Sequence, residues 1–520
     1  MQFQVEYSFG NINTRREQKQ GGVRLYTSSK FDISKFNENF EKALEQMSYS
    51  GGYFAVLAED DNKLQMACDA VRNVPLFYSV SGNKIYAGDN AKEIAKKIKA
   101  GINKSNLDEL KKTGYVTENE TVYEKVFLVE AGETVRIRKE NGKIERHHYF
   151  ELKYKLPKEK RTIDFWAEEY DKCLVRIYEK LTDRLMGKTA LIPLSGGMDS
   201  RTNAVMLKRL GYENVICFSY GQKGNEEAEI SKQVAEGLGF PWYFAEYSEG
   251  IAREVIDFRI KNTDYFEKTW YGDAVVGIQT DIAIEHLKNK GVLPQDGIII
   301  TGDALDFLAG SHIPNIENDE KWTRMHLKDY ICFAHYSLDW GGVFCKAVSK
   351  WIKKIPKIMD ADTVIREYLR WEWNNRQSKY IMNETKQIEW LGFEWEMPFW
   401  ERELCEFWML VPLSYLRNRY LQTYHMIHYL NPIAGFVHEN LEKNRELKHT
   451  KIKRILKSTG VFRWLNKARC DIKALNEERK DDLYGRTSYR QMLCAVKKHG
   501  FHYCGIPDII DAYIQSALYY

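Results

Sequence analysis

One stretch of this sequence gathers groups suited to handling a polyphosphate: Leu194-Ser195-Gly196-Gly197-Met198-Asp199-Ser200-Arg201. It follows a short apolar run, 190–194, and precedes a helical pattern over 202–210. Paired glycines let backbone approach an anion closely, and the free N–H groups at a helix start meet it with a favourable dipole. Ser195 and Ser200 add hydroxyl donors. Asp199 would repel phosphate unless a divalent cation bridged the two, so the loop implies Mg²⁺. It is not a Walker loop, which places Lys after its last glycine. A plain strand-to-helix turn also uses Ser-Gly-Gly, but strand, Asp and helix together favour the anion-binding reading.

The surrounding elements are those such a loop needs. Three buried runs, 190–194, 215–219 and 297–301, are bounded by glycine or turn residues and separated by helical segments, the pattern of a parallel sheet covered on both faces. The first 150 residues read differently. Apolar runs at 51–58, 75–80 and 85–88 and the alternating 131–138 indicate antiparallel strands, the middle two forming a hairpin through Ser81-Gly82-Asn83. Helical spacing covers 30–47 and 91–99. The charged stretch 153–162 is the linker candidate. From about 320 the chain reads as helical and Trp-rich, and the last 80 residues, with the basic stretch 443–457, read as a helical extension.

Composition narrows the class. The 520 residues suffice for about three domains by length alone. A net charge of +4 gives no reason to expect nucleic-acid binding. No apolar run is long enough to span a bilayer, and the start lacks the basic and apolar regions of a signal peptide. Nine Cys are scattered without a Cys-x-x-Cys pair, so neither a disulfide framework nor a zinc ribbon is expected. The expectation is a reduced, cytoplasmic protein with no membrane span.

Ser195-Gly-Gly-Met-Asp-Ser200 resembles the pyrophosphate-binding loop of the ATP pyrophosphatases (PP-loop superfamily), which cleave ATP between the α and β phosphates. Thr301-Gly302-Asp303-Ala304-Leu305-Asp306 resembles the Gly-Glu-Gly-x-Asp-Glu segment of asparagine synthetases. That match implies ATP and Mg²⁺ as cofactors. It makes Gly302 part of the nucleotide site, Asp303 the acid near the activated acyl group, and Asp306 a ligand of Mg²⁺ and pyrophosphate beside Asp199. Leu194, Ser195, Gly196, Gly197, Asp199 and Ser200 would complete the nucleotide loop, with Phe218 and Ser219 meeting adenine through main chain. Two loops at the carboxyl ends of neighbouring parallel strands could share cations over one triphosphate. Without the partner loop, Asp303 and Asp306 would read as caps or turn residues. The family pattern is broken at Ala304, where it has glycine, and at Phe307, where it has a second acid.

The resemblance continues weakly along the chain. Gly51-Gly-Tyr-Phe-Ala55, 69–78 and 87–94 are similar to the glutaminase half of asparagine synthetases, and Glu396-Met-Pro-Phe-Trp-Glu401 to a later family segment. The fold so implied has two domains. Residues 1–152 would form an Ntn-amidotransferase-like αββα sandwich. Residues 163–520 would form an adenine-nucleotide α-hydrolase-like doubly wound parallel sheet with a helical extension. Glutamine-hydrolysing members need an N-terminal Cys. Residue 2 is Gln and the first Cys is Cys68, which reads as a buried structural thiol, so glutaminase activity is expected to be absent.

Other residues carry weaker signals. Glu226, Glu227 and Glu229 read as a solvated helix face, and Trp371 to Trp408 as helix packing. A cation assisting pyrophosphate departure could be Arg417, Arg419, Lys448 or Lys451. His147-His148 and His425-x-x-His428 show no metal spacing. The expected activity is an AMP- and pyrophosphate-forming carbon–nitrogen ligase acting on a small-molecule carboxylate: aspartate, a sugar uronic acid or a specialised metabolite. Its nitrogen would come from ammonia or an amine, with room for an ammonia-supplying partner and for a homodimer. A tRNA-modifying adenylase and a non-catalytic nucleotide-binding scaffold are the competing readings.

Overall fold

A computed structural model of the chain describes residues 2–435, except 10–15, 21–22, 28–39, 50–52, 156, 158–160, 222, 248–264, 266–267, 276–279 and 337–345. The first half contributes β1 (Gln4–Ser8), β2 (Arg16–Gln20), β3 (Val23–Thr27), β4 (Ala55–Glu59), β5 (Lys63–Cys68), β6 (Phe77–Ser81), β7 (Lys84–Gly88), β8 (Phe127–Leu128), β9 (Glu133–Arg138) and β10 (Ile144–His148). They form a four-stranded sheet, β1-β7-β6-β8, and a six-stranded sheet, β10-β9-β5-β4-β3-β2. In β9 the burial alternates, with Val135 and Ile137 turned inward and Arg136 and Arg138 outward. Leu57, Leu64, Met66, Val135 and Ile137 of the larger sheet pack on Tyr78, Ile85 and Ala87 of the smaller. The helix Phe40–Tyr49 covers the far face of the larger sheet through Ala43, Leu44 and Met47. The helix Ala91–Ile98, N-capped by Asn90, lies against the smaller sheet beside Phe77 and Tyr86. The layers therefore run helix, sheet, sheet, helix.

The second half contains β11 (Ala190–Pro193), β12 (Val215–Gly221), β13 (Trp242–Glu246), β14 (Ile298–Ile300), the antiparallel pair β15 (Lys321–Thr323) and β16 (Ile358–Asp360), and β17 (Glu394–Glu396). Five strands make one sheet in the order β13-β12-β11-β14-β17, and every pair in it is parallel. The chain moves outward from β11 to β13 and then crosses back to β14 on the other side. This makes the β11/β14 junction a topological switch point, where open α/β sheets bind ligands beyond their carboxyl ends. The three isoleucines of β14 are all buried, as a central parallel strand requires.

The structure has a two-domain α/β architecture, and it differs from the sequence reading at several points. The helix expected over 30–47 is described only as Phe40–Tyr49; residues 30–39 lie outside the described residues. The stretch beyond 320, read as helical, also supplies β17, the fifth strand of the parallel sheet. Three residues are too few for a period to show. Among the described residues of the expected linker, Tyr154 is buried and donates to the Leu308 carbonyl at 2.9 Å, and Thr162 caps the helix Ile163–Leu185. Residues 443–457 lie outside the described residues. Among the described residues, no helix is long and apolar enough to cross a membrane.

The two halves share one apolar core, to which Tyr53, Phe77 and Tyr115 contribute from the first and Trp371, Trp373 and Trp395 from the second. The Tyr53 hydroxyl both donates to the Met397 carbonyl (2.9 Å) and accepts from its N–H (3.1 Å). Residues 114–116 and 273–275 exchange backbone hydrogen bonds. Arg72 pairs with Asp273 at 2.9 Å, each side chain 1% exposed. Removing one partner of a buried ion pair strands the other charge, at a cost of roughly 3–5 kcal/mol. Asp273→Ala is therefore expected to destabilise the chain by about that amount in urea unfolding. Arg72→Met combined with Asp273→Leu is expected to cost clearly less than Asp273→Ala.

Candidate nucleotide site between adjacent parallel strands

After β11 the chain turns through Leu194 to Gly197 into the helix Met198–Arg209, whose N-cap, Gly197, has no side chain to close the helix end. The serines close the loop instead. Ser200 Oγ accepts from the Ser195 N–H at 3.0 Å, and Ser195 Oγ accepts from the Gly197 N–H at 3.1 Å. The remaining first-turn N–H groups face outward, the arrangement that binds anions at helix starts.

The loop after β14 meets this turn directly. A Cβ on Gly302 would lie 3.1 Å from the Ser200 nitrogen, so glycine is what permits the two backbones to approach. Asp199 then ties the loops together: its Oδ2 accepts from the Asp306 N–H at 2.9 Å, and its Oδ1 from Gln422 Nε2 at 2.6 Å. Asp306 Oδ1 accepts from the Phe307 N–H (2.7 Å) and Oδ2 from Ser311 Oγ (2.9 Å), while His312 Nε2 lies 3.5 Å from Oδ2. Ala304 sits between the two acids at φ 74°, a left-handed value that a residue with a Cβ adopts only under strain. That is the position where the sequence comparison expected glycine.

These groups line a cavity of about 330 Å³ that also reaches Tyr220, Thr280, Asp281, Glu384, Gln387 and Arg419. Among the described residues, its charged lining is five carboxyl groups (Asp199, Asp281, Asp303, Asp306 and Glu384) against the guanidinium of Arg419. Burial, and then the Asp306 charge, push Asp199 up to about 7. Burial also pushes Asp303 up to about 6 and, with Asp303, holds Glu384 well above the carboxylate range. Asp306 is the exception: burial opposes ionisation, but His312 outweighs it and lowers the group to about 2. Crowded oxygen ligands, most of them with raised affinity for protons, are what a hard divalent cation would relieve, so the donor set fits Mg²⁺.

Of the expected site residues, the cavity brings together Ser195, Gly197, Asp199, Ser200, Gly302, Asp303 and Asp306. Leu194, Gly196, Phe218 and Ser219 are not among its lining residues. Phe218 is fully buried and its carbonyl is taken by the Leu194 N–H at 2.8 Å, so β12 reaches the cavity through Tyr220 instead. Gly196 packs toward Glu227, whose Cα would lie 3.3 Å from an added Cβ. Glu226, Glu227 and Glu229 are exposed, as expected of a solvated face. Between the arginines, Arg419 lines the cavity, on consecutive left-handed residues 418 and 419, while Arg417 donates to the Ile316 carbonyl at 2.6 Å. Lys448 and Lys451 lie outside the described residues. Asp281, Glu384, Gln422 and His312 went unread in the sequence because they arrive from four separate segments with no local spacing to mark them.

A second acidic cluster, Glu130, Glu133 and His148, has ligand atoms close enough for a metal. It already holds a cation, since Arg146 pairs with Glu130 at 2.7 Å and with Glu133 at 2.5 Å. Cys68 is fully buried and its thiol donates to the Val74 carbonyl at 3.4 Å; burial pushes that thiol up.

Comparison with known proteins adds two domain assignments. Residues 11–150 match the glutamine amidotransferase domain family, and residues 189–290 match the family of the queuosine biosynthesis protein QueC. The chain carries an amidotransferase-type domain followed by a QueC-like PP-loop domain. A tRNA-specific 2-thiouridylase MnmA from Wolbachia sp. subsp. Brugia malayi is 38% identical over 92 residues, 15% of this chain and 25% of that protein. A 7-cyano-7-deazaguanine synthase from Cupriavidus pinatubonensis is 44% identical over 55 residues, 10% of this chain and 24% of that protein. The chain thus spans about a quarter of the length of these curated relatives. The solved glutamine phosphoribosylpyrophosphate amidotransferase from B. subtilis aligns at 11% identity and a TM-score of 0.18, over 55% of this chain and 63% of that one.

The raised Asp199 sets a testable pH dependence. A carboxyl whose folded value exceeds its unfolded value binds more protons when folded, so stability falls as pH rises from about 4 towards 7. Asp199→Asn removes the charge and keeps the shape. In divalent-free buffer it is expected to raise the thermal midpoint at pH 8 and to change it little at pH 5.5.

Proposed function

We propose that this chain is an ATP-dependent, AMP- and pyrophosphate-forming amide synthetase of the asparagine synthetase type. The observation that carries the reading is the hydrogen bond from the Asp306 N–H to Asp199, which joins the loops after β11 and β14 around one cavity. In this reading the Ser195–Ser200 loop receives the β and γ phosphates through its N–H and hydroxyl groups. Asp199 and Asp306 hold Mg²⁺, which when bound would offset the charge of the phosphates and of the acids around them. A substrate carboxylate oxygen attacks the α-phosphorus as the bond to the β-phosphate oxygen breaks, and Arg419 stabilises the departing pyrophosphate. Ammonia or an amine then adds to the acyl carbon near Asp303, loses a proton and expels AMP. The carboxylate would belong to aspartate, a sugar uronic acid or a specialised metabolite.

The first domain, 1–152, and the second, 163–520, would correspond to an Ntn-amidotransferase-like sandwich and an adenine-nucleotide α-hydrolase-like domain. The helix, sheet, sheet, helix layering and the parallel order β13-β12-β11-β14-β17 support that pairing. The first domain is proposed to lack glutaminase activity. Its one thiol, Cys68, is buried, donates to a backbone carbonyl and is pushed towards the protonated, unreactive form. Nitrogen would then come from solution, from a partner or from an amine substrate.

A second reading has its own support. The similarity to a tRNA-specific 2-thiouridylase, together with the QueC-family match over 189–290, favours a tRNA-modifying adenylase. Such enzymes usually pair the loop with catalytic cysteines, and the five described cysteines are all buried. Incubation with ATP, Mg²⁺, an ammonium salt and panels of carboxylic acids is expected to release pyrophosphate and AMP in equal amounts with one acid class. Asp306→Asn is expected to cut that rate by about 10²–10³-fold. Pyrophosphate release that requires tRNA, and no acid, would replace this reading with the second.

A further inference from the structure

The carboxylate of Asp306 is not held by its own loop alone. His312 Nε2 lies 3.5 Å from Asp306 Oδ2, and the opposite ring nitrogen, Nδ1, is hydrogen-bonded to Glu372. A carboxylate only accepts, so Nδ1–H donates to Glu372 and the opposite ring nitrogen is turned toward Asp306. Glu372 is fully buried and does not line the cavity.

The fold goes to some length to keep that buried carboxylate in place. Glu372 ends the helix Ala361–Glu372, and the chain continues as a π-helical turn, Trp373–Ile381. A π turn brings residues five apart onto one line, and Gln377 Nε2 donates to Glu372 Oε1 at 3.2 Å. Arg376 lies 3.5 Å from the same oxygen. The ring of His312 is fixed from the side by Phe307, edge-on at 5.6 Å, and Phe307 stacks on Trp373 at 6.1 Å. Phe307 is the residue that stands where the sequence comparison expected a second acid. Its ring forms one wall of the slot that orients the histidine, and the histidine returns a carboxylate to the neighbourhood through Glu372.

We infer that His312 and Glu372 form a positioning pair that fixes the rotamer of Asp306 for a divalent cation on the nucleotide. Neither residue touches the reacting atoms. The pairing of a ligand with a polar group that orients it is a general device at metal sites, and loss of such a partner typically weakens metal binding by about 10–100-fold. The inference rests on the proposed role of Asp306, so its test reads metal binding rather than turnover.

Mn²⁺ binding to the full chain with α,β-methylene-ATP, followed by electron paramagnetic resonance, separates the outcomes. Glu372→Ala and His312→Ala are each expected to weaken Mn²⁺ binding about 10–100-fold. His312→Gln, whose amide still donates to Asp306, is expected to stay close to wild type. Trp400→Phe loosens the same ring stack, in which Trp400 lies 5.0 Å from Trp373, without touching either acid, and is expected to lower the thermal midpoint while leaving Mn²⁺ binding intact. Wild-type affinity in Glu372→Ala and His312→Ala overturns the positioning role and leaves the nucleotide site standing. Equal weakening in Trp400→Phe and Glu372→Ala overturns it in favour of a packing role. If the wild-type chain binds no Mn²⁺ with the nucleotide, the synthetase reading fails and takes the inference with it.

Discussion

Like charges forced together in a half-buried cavity are the constraint around which the second half is built. Asp199, Asp303, Asp306 and Glu384 face one space, and burial favours their protonated forms. Left alone, such a cluster would cost more than any one of its hydrogen bonds returns. The structure meets part of that cost with donors aimed at specific oxygens: the Asp306 N–H and Gln422 on Asp199, and Ser311 and His312 on Asp306. Three of the four remain in environments that favour protonation, so the site is left with an unfilled demand for positive charge. A nucleotide carrying a divalent cation meets that demand, and this links the stability of the site to what it binds.

The parallel sheet decides where the demand arises. β11 and β14 are hydrogen-bonded neighbours, although more than 100 residues separate them in sequence, because the chain leaves β11 on one side and returns on the other. Their carboxyl ends therefore place two unrelated loops in contact. Gly302 removes the side chain that would hold the loops apart, and Asn203 fastens the junction by donating to the Thr301 carbonyl at 2.9 Å. The approach is close enough for the backbone of one loop to donate to the carboxylate of the other. A sheet with any other strand order would separate Asp199 from Asp306.

What was legible in the sequence follows the range of each signal. The Ser195–Ser200 loop could be read because phosphate binding by a strand-turn-helix uses residues within one turn of one another. β6 and β7 could be read from a turn dipeptide and two apolar runs, and the burial of Trp371 and Trp408 from their density. Gln422, Glu384 and Glu372 could not, since each reaches the site from a distant helix and looks locally like any polar helical residue. β17 was invisible for another reason: Glu394-Trp395-Glu396 lies in a Trp-rich stretch that reads as helical, and becomes a strand where it pairs with the edge of β14. Phe218 and Ser219 were placed at the nucleotide by resemblance alone. The register of β12 with β11 uses the Phe218 carbonyl within the sheet and leaves Tyr220 at the cavity.

The first half also supports the site structurally. The π-helical turn that carries Gln377 also carries Lys379, which is 1% exposed and donates to the Val116 and Glu118 carbonyls at 2.5 Å each. Asn375 of the same turn accepts from the Glu118 N–H at 2.7 Å. Burial lowers Lys379 to about 8, a cost tolerable only because the ammonium is spent on main-chain oxygens that could not otherwise be satisfied. Backbone of the first half thus fixes the turn, the turn fixes Glu372, and Glu372 fixes the histidine beside Asp306. With Arg72 and Asp273 buried at the same boundary, separating the halves would expose or strand charges on both sides. Whatever chemistry its own fold performs, the first half thus helps support the helix Ala361–Glu372 behind the cavity, alongside the second half's own packing of Trp371 on Trp351 and His335.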